Sequence, residues 1–154
     1  MSDPTLDELA TEEARLQFDT LSLEQAWDVG CALRELAVQR SAKVAIEIAL
    51  RDRVLFHTAL PGTDIANANW VRRKRNTVLA LGTSTLVVGM KLAKASQTLE
   101  ERYGLSPAEH ASDGGGFPLR LRGLGVIGAI TVSGMPSLQD HRLVTDVLAR
   151  FLQR

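Results

Sequence analysis

The sequence predicts an α+β fold in which one antiparallel β-sheet of about five strands is flanked by helices. Three observations support this prediction. Two pairs of strand-like segments are each joined by a connection too short for a parallel crossover, so each pair must be antiparallel. Segments with the 3.6-residue periodicity of helices precede, separate and follow these pairs. The resulting order, α-α-β-β-α-α-β-β-α, is typical of helices packed against an antiparallel sheet.

Two helices are predicted before the first strand. Residues 5–18 place apolar side chains among acidic ones, and we interpret residues 1–20 as an N-terminal helical extension. Ser22 precedes Gln25 by three residues, the spacing of a capping box, which marks the start of the second helix. Residues 21–154 are predicted to form a single domain. The second helix carries apolar residues at helical spacing: Ala26, Val29, Leu33, Leu36 and Ala37.

Four segments are predicted as strands because they are rich in apolar and β-branched residues and are bounded by turn signals. Arg51–Arg53 forms the turn of the first hairpin, and Gly123–Gly125 forms the turn of the second. A short extra strand near Ala111 would make the sheet five-stranded. The four strand segments are residues 43–50, 54–58, 119–122 and 126–132.

The remaining helices also have terminal signals. Thr63 and Asp64 are both competent N-caps for a helix over residues 64–80. A further helix is expected to end at Gly104, where glycine readily adopts the left-handed C-cap conformation. Residues 136–140 open the last helix. Its apolar face is formed by Leu143, Val144, Val147, Leu148 and Phe151.

Composition excludes several classes of protein. The 18 Lys and Arg residues balance the 18 Asp and Glu residues, so neither nucleic acid nor an acidic membrane is expected as a partner. No run approaches the ~20 apolar residues of a membrane span, and residues 1–15 lack the apolar core of a signal peptide. Cys31 is the single cysteine, and its helical surroundings predict a buried, inert thiol. We therefore expect a soluble, cytoplasmic protein.

The helix around Trp70 is the most informative segment for function. On a helix, Trp70 and Arg73 share one side and Lys74 lies on the adjacent side. An indole beside cationic side chains can hold a planar anionic ligand through stacking and charge. The same pattern also fits a core tryptophan flanked by solvated basic residues. The basic run at residues 72–75 is isolated, so it does not predict nucleic-acid binding.

Two glycine-rich segments could approach a phosphate or another anion. Gly123–Gly128 matches the dinucleotide-binding fingerprint by its letters, but the strand-like residues 129–132 follow where that fingerprint requires a helix. We therefore interpret this segment as a hairpin turn. Gly114, Gly115 and Gly116 either present backbone N–H groups to an anionic ligand or form a connector into the sheet.

The three histidines, His57, His110 and His141, do not have the spacing of a metal site, and no metal is predicted. Asp140 beside His141 suggests an acid–base pair that could act with Ser133. Neighbouring residues on a helix point about 100° apart, however, so Asp140 is poorly placed to orient His141. A hydrolytic triad is therefore not predicted, and no catalytic residue is assigned.

Five short motifs, taken together in their order and spacing, carry a resemblance to a known family: Pro61-Gly62-Thr63, Trp70-Val71-Arg72-Arg73-Lys74, Gly114-Gly115-Gly116-Phe117-Pro118-Leu119, Gly128-Ala129-Ile130-Thr131-Val132-Ser133-Gly134 and Asp140-His141. From about Ser22 to the C-terminus, the chain resembles the haem-degrading-domain family of HbpS-type and GlcG-like proteins, specifically its free-standing cytoplasmic branch. The resemblance implies a profilin-like fold and assembly into a homo-oligomer. It also implies binding of haem, another tetrapyrrole or an anionic ligand.

Three functional hypotheses result. The first is an oligomeric protein that binds a small ligand, with haem as the cofactor implied by the resemblance. The second is a non-enzymatic interaction or scaffold module that docks a protein partner. The third is a small-molecule enzyme that uses the same pocket, with His141 as general base. The predicted pocket residues are Trp70, Arg73, Lys74, Gly114, Gly115 and Gly116, with His110 or His141 as an axial or polar contact.

Overall fold

The computed structural model describes residues 2–154, which form six helices and four strands. No single helix in this range is long and apolar enough to cross a membrane, and the helices Ile65–Leu81 and Thr85–Ala95 meet that test only together, as a pair bent by 78°. In chain order the elements are α1 (Leu6–Arg15), α2 (Leu23–Gln39), β1 (Ala45–Leu50), β2 (Val54–Ala59), α3 (Ile65–Leu81), α4 (Thr85–Ala95), α5 (Leu99–Tyr103), β3 (Gly116–Leu121), β4 (Gly125–Ser133) and α6 (Ser137–Leu152).

The strands form one antiparallel sheet in the order β2-β1-β4-β3, which confirms the predicted α+β class. The expected count of about five strands is wrong, because no strand forms near Ala111 in the part of the chain that the structure describes. The backbone N–H of Ala111 instead donates to the Arg73 carbonyl (3.3 Å) and to the Thr77 hydroxyl (3.0 Å). This segment therefore packs onto α3, and the N–H group of Ala111 is not available for pairing with a strand.

Local capping signals fix most helix ends. Ser22 and Gln25 exchange two hydrogen bonds of 2.8 and 3.0 Å, which confirms the predicted capping box. Asp64 caps α3, and Gly104 ends α5 in the left-handed conformation at φ 67°. The helix expected to run to Gly104 is divided into α4 and α5, because Ser96 adopts φ 52° and ends α4.

Helices cover both faces of the sheet. α2 and α6 pack on the face where Ile48, Ile130 and Phe117 line the main core. α3 packs on the opposite face, where Arg75 donates to Glu47 of β1 at 2.8 Å. Glu47 and Ile48 point to opposite faces because successive side chains of a strand point in opposite directions.

The N-terminal segment covers the β3 edge of the sheet. Phe18 forms a parallel bridge with Leu121, and its N–H and carbonyl groups bond to the backbone of Arg120 and Arg122, both at 2.9 Å. The Phe18 side chain is buried in the main core. The boundary predicted at residue 20 stays a prediction, but the residues before it share the core of the domain.

Cys31 is exposed on α2, which corrects the expectation of a buried thiol. Val29 and Leu33 are buried in the core. Cys31 lies two positions from each of them, about 200° around the helix axis. It therefore faces away from the stripe that the apolar pattern defines.

Replacing Phe18 with alanine is expected to lower the free energy of unfolding by about 3–5 kcal/mol, because a large buried side chain is lost and a cavity remains. Urea denaturation followed by circular dichroism measures the change. Leu124→Ala is the matched control, because Leu124 is 72% exposed and its loss should change the value by no more than about 0.5 kcal/mol. Equal effects of the two substitutions would show that the N-terminal segment does not contribute to the core.

Candidate functional site

The candidate residues divide between two neighbouring cavities. The first, which we call the Lys74 cavity, has a volume of about 360 Å³. The second, which we call the His110 groove, has a volume of about 480 Å³ and contains Arg73, His110 and the apolar side chains of α4 and α5. Asp113 lines both cavities, so they are adjacent. The Lys74 cavity is lined mainly by Asn67, Trp70, Lys74, Ser133, Ser137 and Asp140.

A buried ion pair lies at the inner wall of the Lys74 cavity. Lys74 Nζ donates to Asp140 Oδ2 and to the Val132 carbonyl, both at 3.1 Å. Asp140 also accepts the backbone N–H groups of Gly134 (3.2 Å) and Met135 (3.0 Å). Burial lowers the pKa of Lys74 and raises the pKa of Asp140, while the charge of each residue acts in the opposite direction on the other.

This ion pair limits what the Lys74 cavity offers an anionic ligand. The charge of Lys74 is offset by Asp140, and Asp113 adds a second carboxylate to the lining. The start of α6 supplies a partial positive charge, and its N-cap residue Pro136 makes no side-chain hydrogen bond. The cavity therefore contains polar groups of both signs but no surplus of positive side chains.

The glycine segment before β3 packs against the ion pair. Gly115 has φ 131°, and a Cβ at this position would lie 2.1 Å from the Val132 carbonyl oxygen and 2.9 Å from Lys74 Nζ. The N–H of Gly116 donates to Thr85 Oγ1 at 2.9 Å. Gly114, Gly115 and Gly116 thus permit a close approach of backbone to backbone. They line neither cavity in the described chain.

Arg73 lies between the two cavities and holds the segment that carries His110. Its Nε donates to the Pro107 carbonyl at 3.0 Å, and its Nη2 donates to the His110 carbonyl at 3.3 Å. The guanidinium carbon lies 4.6 Å from the centre of the Trp70 ring, within the range of a cation–π contact. Arg73 therefore joins the wall of the Lys74 cavity to the wall of the His110 groove.

His110 is partly buried at the His110 groove. Its Nδ1 lies 3.1 Å from the Ser106 carbonyl oxygen. Because a carbonyl only accepts hydrogen bonds, Nδ1 is the donor in this contact, and the neutral imidazole then has its lone pair on Nε2. The buried side chains of Leu92 and Leu99 form the apolar part of the same groove. An imidazole held in this way has the arrangement usual for a metal-binding histidine.

His141 is separated from both cavities. Its ring is buried 5.8 Å from Phe117, and Nε2 lies 2.8 Å from a carboxylate oxygen of Glu12 in α1. Nδ1 has no hydrogen-bond partner among residues 2–154. Asp140 points toward Lys74. The adjacent His141 points about 100° away around the helix, toward α1. The structure therefore places Trp70 and Lys74 at one cavity and Arg73 and His110 at the other. His141 lies at neither cavity.

Sequence reasoning missed Asp140 as the partner of Lys74, although a signal was present. Asp140 precedes Leu143 and Val147 at helical spacing, and Lys74 lies between Val71 and Val78 in the same way. A charged residue in an apolar stripe is expected to be buried, and a buried charge requires a partner of opposite sign. Leu92 and Leu99 of the groove were also missed, because a helical pattern of apolar residues is the same whether the side chains fill a core or line a cavity.

Comparison with known proteins agrees with the motifs. A family model described as haem degrading protein HbpS-like matches residues 21–149. The chain belongs to the HbpS-like family. A UPF0303 protein of Edwardsiella ictaluri is 50% identical over 151 residues, which cover 98% of this chain and 96% of that protein. The predicted family membership is therefore confirmed.

Solved structures share the fold of this HbpS-like family member. The crystal structure of Ybr137w protein superposes with a TM-score of 0.91 at 29% identity, over 99% of this chain and 90% of that one. The crystal structure of a PduOC–haem complex superposes with a TM-score of 0.72 at 21% identity, over 84% and 94% of the two chains. At 21% identity, this second similarity shows a shared fold and nothing more.

Replacing Lys74 with methionine is expected to lower the free energy of unfolding by about 3–5 kcal/mol, because it leaves the Asp140 carboxylate buried without its counter-charge. The double variant Lys74→Met/Asp140→Asn removes both charges, keeps an acceptor for the Met135 N–H and should recover much of this loss. Guanidinium denaturation measures both values. Arg40→Met is the matched control, because the exposed pair of Arg40 with Asp146 contributes at most about 1 kcal/mol. A double variant no more stable than Lys74→Met would contradict the ion-pair interpretation.

Proposed function

We propose that this protein binds a haem-type tetrapyrrole in the His110 groove. The observation that carries the proposal is the position of His110 at a cavity of about 480 Å³, with Nδ1 lying 3.1 Å from the Ser106 carbonyl oxygen, so that Nε2 of the neutral imidazole can act as a metal ligand. A haem iron takes an axial imidazole nitrogen of this kind. When bound, the iron would supply a site for ligand exchange or electron transfer.

The lining of the groove supports the proposal. Leu92, Ala93 and Leu99 offer an apolar surface to the ring of a tetrapyrrole. Arg73 places a guanidinium at the same groove, which Glu100 and Asp113 also line; its Nε and Nη2 hold the Pro107 and His110 carbonyls, so the remaining N–H groups can pair with one carboxylate of the ligand. The volume falls within the roughly 300–1,000 Å³ of small-molecule and cofactor sites. The residues present therefore fit the group that the family description names.

The comparisons support the same ligand class. The family is described as haem degrading, and a neighbour of the same fold was solved as a complex with haem. Of the two histidines predicted as contacts, His110 reaches a cavity, whereas His141 is buried beneath α1. The proposal is one of binding in a cytoplasmic homo-oligomer, in keeping with the family resemblance, and it assigns no catalytic step.

Titration of the purified protein with haemin, followed by absorption spectroscopy, tests the proposal. The wild-type chain is expected to give a saturable Soret shift at one haem per chain. His110→Ala removes the axial nitrogen, so it should weaken binding by on the order of ten-fold or more and change the Soret band.

His57→Ala is the matched control, because His57 lies on the exposed side of β2 and its loss should leave the titration unchanged. The proposal fails if the wild-type chain gives no saturable shift. It also fails if His110→Ala and His57→Ala bind haemin equally well. Circular dichroism of each variant confirms that the fold is intact.

A further inference from the structure

The Lys74 cavity contains a buried hydroxyl group without a partner. Ser133 is only 4% exposed and lines this cavity at the end of β4. Its Oγ makes no hydrogen bond with any of residues 2–154, whereas both oxygens of the nearby Asp140 carboxylate accept hydrogen bonds. A polar group at this depth is normally hydrogen-bonded. The hydroxyl group of Ser133 therefore marks a position at which a ligand can supply the missing partner.

The first turn of α6 opens onto the same cavity. The N-cap residue Pro136 and the first helical residue Ser137 both line it. The Pro136 carbonyl accepts the N–H groups of the third and fourth helical residues, at 2.9 and 3.1 Å. The N–H groups of Ser137 and Leu138 come before these and have no partner within the helix. A carboxylate placed here would accept from these groups and gain from the partial positive charge of the helix end.

α3 adds a further donor and an apolar wall to the Lys74 cavity. Asn67 Oδ1 accepts the backbone N–H of Asp64 at 3.0 Å, and the Nδ2 group of Asn67 has no acceptor among the described residues. Trp70 lies about one turn further along α3 and lines the same cavity, as does Met135. The cavity thus offers an amide, a hydroxyl and backbone N–H groups that are free to donate, beside an aromatic ring.

The charges of the Lys74 cavity disfavour a simple anion. Its lining contains one basic side chain, Lys74, and two carboxylates, Asp113 and Asp140. Asp140 is paired with Lys74, so these two charges offset each other. Asp113 is exposed and forms no ion pair within residues 2–154. The remaining side-chain charge is negative, and a ligand with an ammonium group would balance it.

We propose that the Lys74 cavity binds a free α-amino acid with an apolar side chain. The carboxylate of the ligand accepts hydrogen bonds from Ser133 and from the start of α6, and its ammonium group faces Asp113. The apolar side chain lies against Trp70. This ligand satisfies the free donors and the free carboxylate together, whereas an anion or an amine satisfies only one of them. The volume of about 360 Å³ lies within the roughly 300–1,000 Å³ of small-molecule sites.

The fluorescence of Trp70 tests the proposal without haem. The chain contains two tryptophans, so Trp27→Phe leaves Trp70 as the only one. Titration of this variant with L-leucine and with L-phenylalanine is expected to give a saturable change of emission for at least one of them, because the ligand contacts the Trp70 ring. The matched acids, isocaproate and hydrocinnamate, and the matched amines, isoamylamine and phenethylamine, should bind about five-fold more weakly or worse, because each lacks one charged contact.

Substitutions added to the Trp27→Phe chain separate the contacts. Ser133→Ala should weaken binding of the amino acid by on the order of ten-fold, because its carboxylate loses a hydrogen bond. Asp113→Asn should weaken it by about three- to five-fold and strengthen binding of the matched acid, since the repulsion of that acid is removed. A purely structural effect would not change the two affinities in opposite directions. Asp28→Asn is the matched control, because Asp28 is exposed on α2 outside the cavity and its substitution should change neither affinity.

Three results would overturn the proposal. One is the absence of a saturable emission change with both amino acids up to millimolar concentrations. Another is a matched acid that binds the Trp27→Phe chain as tightly as the amino acid, which would show that Asp113 takes no part. The third is an equal affinity of the Ser133→Ala and Asp28→Asn chains for the amino acid. The haemin titration reports on the His110 groove alone, so either proposal can fail without the other.

Discussion

The buried ion pair between Lys74 and Asp140 is the constraint on which the centre of this structure depends. It joins α3 on one face of the sheet to α6 on the other, past the end of β4. Two buried charges are tolerated only when they are paired and hydrogen-bonded, so the pair fixes the relative position of the two helices. The glycines around it follow from this arrangement. Gly134 donates its N–H to Asp140, and Gly115 leaves room beside Lys74 Nζ for the Val132 carbonyl.

The same helical turn that buries Lys74 builds the wall of the candidate ligand site. Arg73 precedes Lys74 and therefore points about 100° away, toward the segment before β3. Its hydrogen bonds to the Pro107 and His110 carbonyls hold that segment against α3. The position of the His110 ring thus depends on Arg73, and the position of Arg73 depends on how deeply Lys74 is drawn into the interior. The Lys74–Asp140 pair does not line the His110 groove, but it influences the geometry of that groove through Arg73.

Features decided within a few residues could be predicted from the sequence, and features decided by distant partners could not. The Ser22–Gln25 capping box and the Gly104 helix end depend on neighbouring backbone groups, so their residue types were sufficient. The family was likewise predicted from short motifs in a fixed order. The strand expected near Ala111 was wrong because α3, more than thirty positions earlier in the chain, takes up its backbone N–H group. The predicted single pocket divides for a related reason, since the partner of Lys74 lies on the last helix.

The proposed ligand groove lies on one side of the sheet, but it is connected to the other side. Arg73 and the segment that carries His110 lie on the α3 side, whereas α2 and α6 cover the opposite face. β1 and β4 are paired in register from Ala45 opposite Ser133 to Leu50 opposite Gly128, and a central strand pair of this regularity has few alternative arrangements. The Lys74–Asp140 pair, in contrast, joins α3 directly to α6. A change in the packing of α6 therefore reaches the wall of the groove through Lys74 and its neighbour Arg73.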